Sequence, residues 1–270
     1  MGFVLNTPTP KVSWLLCSNV ANDKLRAAID SCLAQSFDDF ELIVVANGKR
    51  ASEVERVIGM WFPNEPRLRL FKTEIQHLNF SLSLGLHYAR AELIARMDSD
   101  DVSYPCRLSL QVEFMESNPT VVVLGTAYEL IDSVGDTVQS VRPPLSDREI
   151  RAELPFGNPM CHPTVMLRRS AATSVGGYLG FVYAQDYDLW LRLAADCHNQ
   201  FANLPDVCLG YRAVSAGTAR KARSAYAAMA ASQVYAALMG CKFQYFFGLV
   251  ISMAKAITRP FAPRATSVAR

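Results

Sequence analysis

Asp98, Asp100 and Asp101 stand together at the end of a short apolar run, Leu93–Met97. Carboxylates this close repel one another and raise one another's pKa, so a cation or a set of backbone donors has to offset the repulsion. The spacing Asp98-Ser99-Asp100 at a strand end suits a hard divalent cation, Mg²⁺ or Mn²⁺, which takes one or two protein carboxylates and completes its shell with substrate phosphates. The competing reading is a solvated turn whose Asp residues cap a helix beginning near Arg107. Other chemical signatures are missing: the chain has no GxGxxG or GxxxxGK[ST] phosphate loop, no HExxH and no GxSxG. Cys161 and His162 adjoin in sequence, which does not make them a nucleophile and its base, and a buried structural thiol is the simpler reading. The seven cysteines are dispersed without a CxxC, so neither a disulfide framework nor a structural zinc is expected.

The elements that must position the Asp cluster alternate. Residues 12–17 read as a buried strand and 24–35 as an amphipathic helix, with Leu25, Ala28, Ile29, Cys32 and Leu33 on one face. Residues 41–46 form a second strand, 53–60 a helix, 67–72 a strand, 81–91 a helix, and 93–97 the strand that runs into Asp98. This order predicts an α/β fold, a mostly parallel central sheet flanked by helices on both faces. Ligands gather at the carboxyl ends of such strands, which places residues 17–19, 46–48 and 98–101 along one edge. Further on, a helix is expected at 107–117, a strand at 121–130, and a turn-rich stretch through Pro163. A strand at 164–167, a helix at 187–195 and an extended segment at 208–214 follow. The last residues predict an Ala-rich helix at 219–239 stopped at Gly240 and a second at 242–257. The expected organisation is one composite domain over 1–214 and a helical extension over 215–270.

With 270 residues, half of them hydrophobic, the chain can bury a sizeable core. Its net charge of +2 hides an asymmetry. Nine of the 27 Lys/Arg lie in 207–270, where there is no acid, and the other 18 face all 25 acids in 1–206, so a body of −7 carries a tail of +9. Such a tail suits an anionic partner. The apolar stretch 245–254 is far short of the roughly 20 residues of a spanning helix. Two readings of 241–270 stand side by side: attachment to an anionic membrane surface, or packing on the domain or a dimer partner. Nucleic acid is not an expected partner, since no reader motif accompanies the basic residues. The cysteine usage and the absence of a signal-like N-terminus point to the cytoplasm, and the membrane reading of 241–270 would place the chain peripherally at the inner face of the membrane.

Residues 94–108, IARMDSDDVSYPCRL, closely resemble a stretch of the family 2 inverting glycosyltransferases, which have the GT-A fold. Other pieces are similar to that family in the same order: 29–43 (IDSCLAQSFDDFELI), 111–119 (QVEFMESNP), 162–168 (HPTVMLR), Gly176-Gly177-Tyr178, and 186–192 (DYDLWLR). The resemblance spans roughly residues 12–214. It implies that Asp98 and Asp100 hold Mg²⁺ or Mn²⁺ on the diphosphate of a nucleotide-sugar donor, with Arg96 and Asn47 also on the donor side. It implies that Asp186 is the general base on the acceptor hydroxyl, with His162, Gln185 and Arg192 as weaker acceptor or diphosphate candidates. The expected activity is a metal-dependent inverting transfer of a hexosyl group from a UDP-linked donor. The expected acceptor is a glycan or lipid-linked glycan in surface polysaccharide or O-antigen-type biosynthesis. One base suffices, because the hydroxyl attacks opposite the leaving nucleotide, and a metal neutralises the departing diphosphate. Structural alternatives stand beside these roles: Asp186 as N-cap of the helix at 187–195, His162 as a hydrogen-bonded core residue, and Trp190 and Leu191 as plain core.

The departures from the pattern cluster at the nucleotide. Where the family has VVDDGS, with an Asp on the uracil, this chain reads Val44-Val45-Ala46-Asn47-Gly48-Lys49. The segment 75–85 lacks two of the usual Asn residues and one Gly, and the Glu before the base is Gln185. These changes keep open a second reading, a weakened or inactive GT-A-fold protein that serves glycan assembly as a scaffold.

Overall fold

Strands covered on both faces are expected to be buried along their whole length and mostly apolar, and three of the central strands are, with Ser13, Glu41 and Arg96 as buried polar exceptions. The computed structural model describes residues 9–179, 183–212, 223–240 and 244–258. Its first half runs β1 Val12–Ser18, α1 Asp23–Leu33, β2 Phe40–Asn47, α2 Ala51–Trp61, β3 Leu68–Thr73, α3 Leu78–Tyr88 and β4 Leu93–Met97. Every residue of β1, β2 and β4 is buried. These strands pair in parallel in the order β3-β2-β1-β4.

The second half follows as β5 Val102–Ser103, α4 Arg107–Ser117, β6 Val121–Ile131, β7 Thr137–Val141 and α5 Asp147–Glu153. A 3-10 turn at His162–Thr164 then leads to β8 Met166–Arg168, α6 Arg169–Ser174, α7 Gln185–Ala194 and β9 Gln200–Arg212. Here the sheet is mixed. β8 lies antiparallel between β4 and β6, β6 and β9 are parallel, β5 is antiparallel to β9, and β7 forms a hairpin with β6.

Alternating side chains feed two cores. Trp14, Leu16 and Leu42 pack with α1, α2 and α4 on one face, while Leu15, Cys17 and Ile43 pack with α3 and α7 on the other. Close approach is visible at Gly85 of α3, where a Cβ would overlap the side chain of Leu15.

Most expected elements are present with ends moved by a few residues. α3 begins earlier than expected and stops at Tyr88, because the amides of Arg90 and Ala91 donate to the Glu41 carboxylate (2.8 Å) and the Ser13 hydroxyl (3.0 Å) instead of continuing the helix. The stretch expected to be turn-rich also holds β7 and α5. β7 is almost wholly exposed and so shows no apolar alternation. α5 is announced by a capping box in which Ser146 and Glu149 bond each other's backbone amides.

At the C-terminus, α8 Arg223–Gly240 and α9 Gln244–Thr258 pack on the second core, to which Met229, Ala236, Ala237 and Tyr245 contribute. Gln233 donates to the carbonyl of Pro155 (2.9 Å) and bonds the Tyr187 hydroxyl (3.0 Å), and Ser232 reaches Asp188 on α7 (3.2 Å). A Cβ at Gly248 would overlap the Pro155 carbonyl oxygen. The expected strand end at 213–214 and helix starts at 219–222 and 242–243 lie outside the described residues. Among the described residues no helix is long and apolar enough to cross a membrane.

Candidate active site

β4 delivers the Asp cluster, and two buried cations hold its end in place. Arg96, the fourth residue of β4, is 1% exposed, and its Nη2 donates to Asp98 Oδ1 at 2.5 Å while Nη1 donates to the Met97 carbonyl. Burial works against its charge, but Asp98, Cys17 and Tyr178 together outweigh it, so its pKa is raised. Arg107, fully buried in the first turn of α4, lies over the Trp14 ring at 5.1 Å. It donates to the carbonyls of Arg96 (2.8 Å) and Val165 (3.2 Å) and to Gln111 Oε1 (3.0 Å). Gln111 in turn donates to the carbonyls of Leu124 and Thr164. Burial without a carboxylate partner pulls the Arg107 pKa down to about 10, which still leaves it charged at neutral pH.

The three carboxylates then part ways. Asp101 is 1% exposed and accepts the backbone amide of Arg212, the last residue of β9, at 2.8 Å, while its Oδ2 has no hydrogen-bond partner. Burial first, then Asp98 and Asp100, push its pKa well up. Asp98 and Asp100 are half-exposed, and burial together with Asp98 raises Asp100. The guanidinium of Arg212 binds the Asp100 carbonyl (2.9 Å) and the carbonyls of Asp132 and Ser133, tying the Asp loop to the β6–β7 turn.

This donor set is hard oxygen only, its mutual repulsion is incompletely offset, and one buried oxygen is unsatisfied. It therefore fits a hard divalent cation. It is not a closed three-carboxylate cage. Among the described residues, the three-residue group close enough to one another to act as ligands is the exposed Asp196, Cys197 and His198.

Asp98 forms part of the wall of two cavities. The smaller, about 330 Å³, lies at the ends of β1, β2 and β4 and is lined by Cys17, Ser18, Asn19, Asn47, Gln76, Leu78, Asp98 and Ser99. These are the strand ends expected to share one edge. Asn47, 7% exposed, donates from Nδ2 to the Ser81 hydroxyl at 2.8 Å. The larger cleft, about 810 Å³, extends from Asp98 to Asp186, with Tyr128, Arg142, Asn158, Cys161, His162 and Tyr211 among its walls.

Asp186 sits in the first turn of α7, and its Oδ2 accepts from Asn158 Nδ2 at 2.7 Å. The N-cap of α7 is Ala184, in the left-handed region at φ 57°, so the N-cap alternative for Asp186 does not hold. A negative charge in that first turn remains favourable to the helix dipole. His162 is a hydrogen-bonded, largely buried residue at the cleft wall: it is 8% exposed, its Nε2 bonds the Tyr178 hydroxyl at 3.0 Å, and it lines the cleft. Burial, reinforced by Arg96, holds its pKa well below the usual value, so its ring is neutral.

Arg96, Gln185 and Arg192 line neither of these two cavities. Arg96 lies beneath Asp98 and acts through it. Gln185 is buried at the start of α7. Arg192 binds the carbonyls of Val175 (2.5 Å) and Gly177 (2.8 Å) and pairs with Asp188, a structural clasp away from the cleft. Cys161 lines the cleft, but burial, Asp101 and Asp98 push its thiol up, which suits no nucleophile. Trp190 and Leu191 are core, as expected. Asn158, Arg212, Tyr128 and Tyr211 were not among the sequence candidates. Asn158-Pro159 reads locally as a turn, and nothing local marks Arg212.

The profile of the family described as "Glycosyl transferase family 2" matches residues 15–176. The chain is 36% identical over 200 residues to the O-antigen biosynthesis glycosyltransferase WbnJ of Escherichia coli, covering 74% of this chain and 78% of that one. It is 27% identical over 213 residues to an E. coli UDP-Gal:alpha-D-GlcNAc-diphosphoundecaprenol beta-1,3-galactosyltransferase, covering 77% and 76%. Among solved structures, the mannosyltransferase PcManGT from Pyrobaculum calidifontis, in complex with GDP-Man and Mn²⁺, superposes with a TM-score of 0.66 at 15% identity, over 93% of this chain and 74% of that one. That likeness establishes the GT-A fold. With the ordered motifs, the Asp-tipped fourth strand and this extent of similarity, the chain belongs to glycosyl transferase family 2.

Proposed function

We propose that the protein moves a hexosyl group, with inversion, from a UDP-linked sugar to a hydroxyl of a lipid-linked glycan in surface polysaccharide assembly. The observation that carries this reading is the position of Asp98, a common wall of the strand-end cavity and of the cleft that holds Asp186. A nucleotide sugar lying across that wall would put its diphosphate at Asp98 and Asp100 and its anomeric carbon toward Asp186. The donor and acceptor classes follow the E. coli relative named for UDP-Gal and a diphosphoundecaprenol-linked GlcNAc. In this reading residues 1–214 are catalytic, 215–270 are an extension, and the reaction takes place in the cytoplasm at a membrane surface.

Asp98 and Asp100 would hold Mg²⁺ or Mn²⁺, and a metal there supplies Lewis-acid neutralisation of the leaving diphosphate. The chain's own residues do the rest. Arg96 fixes the Asp98 carboxylate from below, and Arg212 fixes the loop that carries Asp100. Asn47, whose amide bears no charge, offers a neutral hydrogen-bonding group where the family has an Asp. Asn158 orients Asp186, which takes the proton from the acceptor hydroxyl as that oxygen bonds the anomeric carbon. The carbon–oxygen bond to the diphosphate breaks at the same time, and its electron pair leaves with the nucleotide.

Calorimetry with UDP and Mn²⁺, followed by donor turnover, tests the reading. Metal-dependent UDP binding and slow hydrolysis of a UDP-hexose are expected. No UDP binding with or without metal would instead favour the inactive scaffold, for which the replacement of the family's Asp by Asn47, its amide nitrogen already bonded to Ser81, is the supporting observation.

A further inference from the structure

α9 has two apolar sides: one packs on the domain, and the other is largely exposed among the described residues. Tyr245, Gly248 and Ser252 face inward at helical spacing. On the opposite side Val250, Met253 and Ile257 are 65, 51 and 70% exposed, with Phe246, Phe247 and Ile251 also exposed, and Leu238 of α8 is 70% exposed. A surface helix ordinarily carries its charges there. The single charged residue of α9 is Lys255, half-buried beside the Tyr226 ring, and the segment 207–270 carries no acid and nine Lys/Arg, of which Arg212 is held by the Asp loop.

We propose that the exposed face of α9 lies in the interface of an anionic lipid bilayer, favoured by the basic, acid-free composition of this segment. Charge and length select this occupant. Pairing the same face with a second copy would bring two acid-free, basic segments together, which repel. A membrane surface instead offers apolar depth and negative headgroups at once. Fifteen helical residues span about 22 Å, short of a hydrocarbon core of about 30 Å, so the helix lies in the surface plane. Placement agrees as well. α9 presses on the Pro155 carbonyl, and the loop that follows supplies Asn158, Met160, Cys161 and His162 to the cleft. This last point rests on the reading of the cleft as the acceptor side; the docking itself does not.

The test is flotation of the full-length protein with vesicles of phosphatidylcholine alone or mixed with phosphatidylglycerol. Parent protein is expected to float with the anionic vesicles and to be released by high salt. The Val250→Glu/Ile257→Glu variant should lose about tenfold in bound fraction. It should keep its circular dichroism melt and its lipid-free turnover of donor, and a milder Val250→Ala/Ile257→Ala pair should lose less. Equal flotation of parent and variant, equal binding to neutral vesicles, or no binding accompanied by concentration-dependent dimerisation that the variant abolishes would each overturn the proposal. Flotation without donor turnover would sink the catalytic reading and leave this one standing.

Discussion

Asp98 and Asp186 carry the same functional group, yet the molecule holds them in opposite ways. Asp98 caps a central strand, and its neighbours in sequence, Arg96 and Arg107, are the buried cations that secure it. Asp186 starts a helix, and the groups that place it come from far along the chain: Asn158 directly, and behind α7 the contacts of Ser232 and Gln233 from the C-terminal hairpin. One carboxylate is positioned by local sheet geometry and the other by assembly of distant pieces. Perturbations should therefore separate them.

The largest separation is expected from Asp98→Asn and Asp186→Asn. The first should abolish metal-dependent UDP binding by calorimetry. The second should leave UDP binding intact and cut transfer by about 10²- to 10⁴-fold, the range of a general base. If both variants lost nucleotide binding alike, the two sides would not be independent.

Next comes Arg107→Met, which removes the clasp on the β4 carbonyls and leaves buried acceptors unpaired. A loss of about 3 kcal/mol in denaturant unfolding is expected, with weakened UDP binding in the surviving folded fraction.

A smaller effect tests the sheet behind the strand-end cavity. Glu41, 1% exposed, accepts from Ser13, from the Arg90 amide and from Arg69 and Arg90, which are themselves partly exposed. Burial opposes its charge, but these partners together lower its pKa below the usual 4.5. A depressed carboxyl stabilises the fold above its unfolded pKa and loses that contribution as pH falls through the folded value. Glu41→Gln should thus cost about 2 kcal/mol at pH 7, discounted for the exposed arginines, and the gap from parent should close in parallel melts as pH falls below the ordinary 4.5 and through the lowered folded value.

The smallest effect concerns the hairpin. Gly248→Ala forces α9 off the Pro155 carbonyl at a cost of about 1–2 kcal/mol. It should lower kcat more than it weakens UDP binding, because its path leads through Tyr187 to α7. Equal losses in both would erase the distinction between the two carboxylates.

The same contrast explains what the sequence could reveal. β4 and α4 were legible to the residue, because an apolar run ending at Asp98 and a helix opening at Arg107 are local signals, and Asp98 and Asp100 came with them. The distinct fate of Asp101 was not legible, since its burial depends on Arg212, 111 residues later. Arg192 looked eligible for chemistry by its place in a motif, and only the carbonyls of Val175 and Gly177 show its use. β7 escaped notice because a strand exposed on nearly every residue has no period to read, whereas the Ser146–Glu149 box of α5 was there to be found.

Ala184 adds one more lesson about how α7 is held. A left-handed conformation costs a residue with a Cβ about 1 kcal/mol, so the peptide entering this helix sits against its own preference. Packing of Tyr187, Leu189 and Trp190 into the core has to supply the difference. The aim of Asp186 is thus a property of the finished tertiary structure, and a peptide comprising residues 183–194 alone would have no reason to reproduce it.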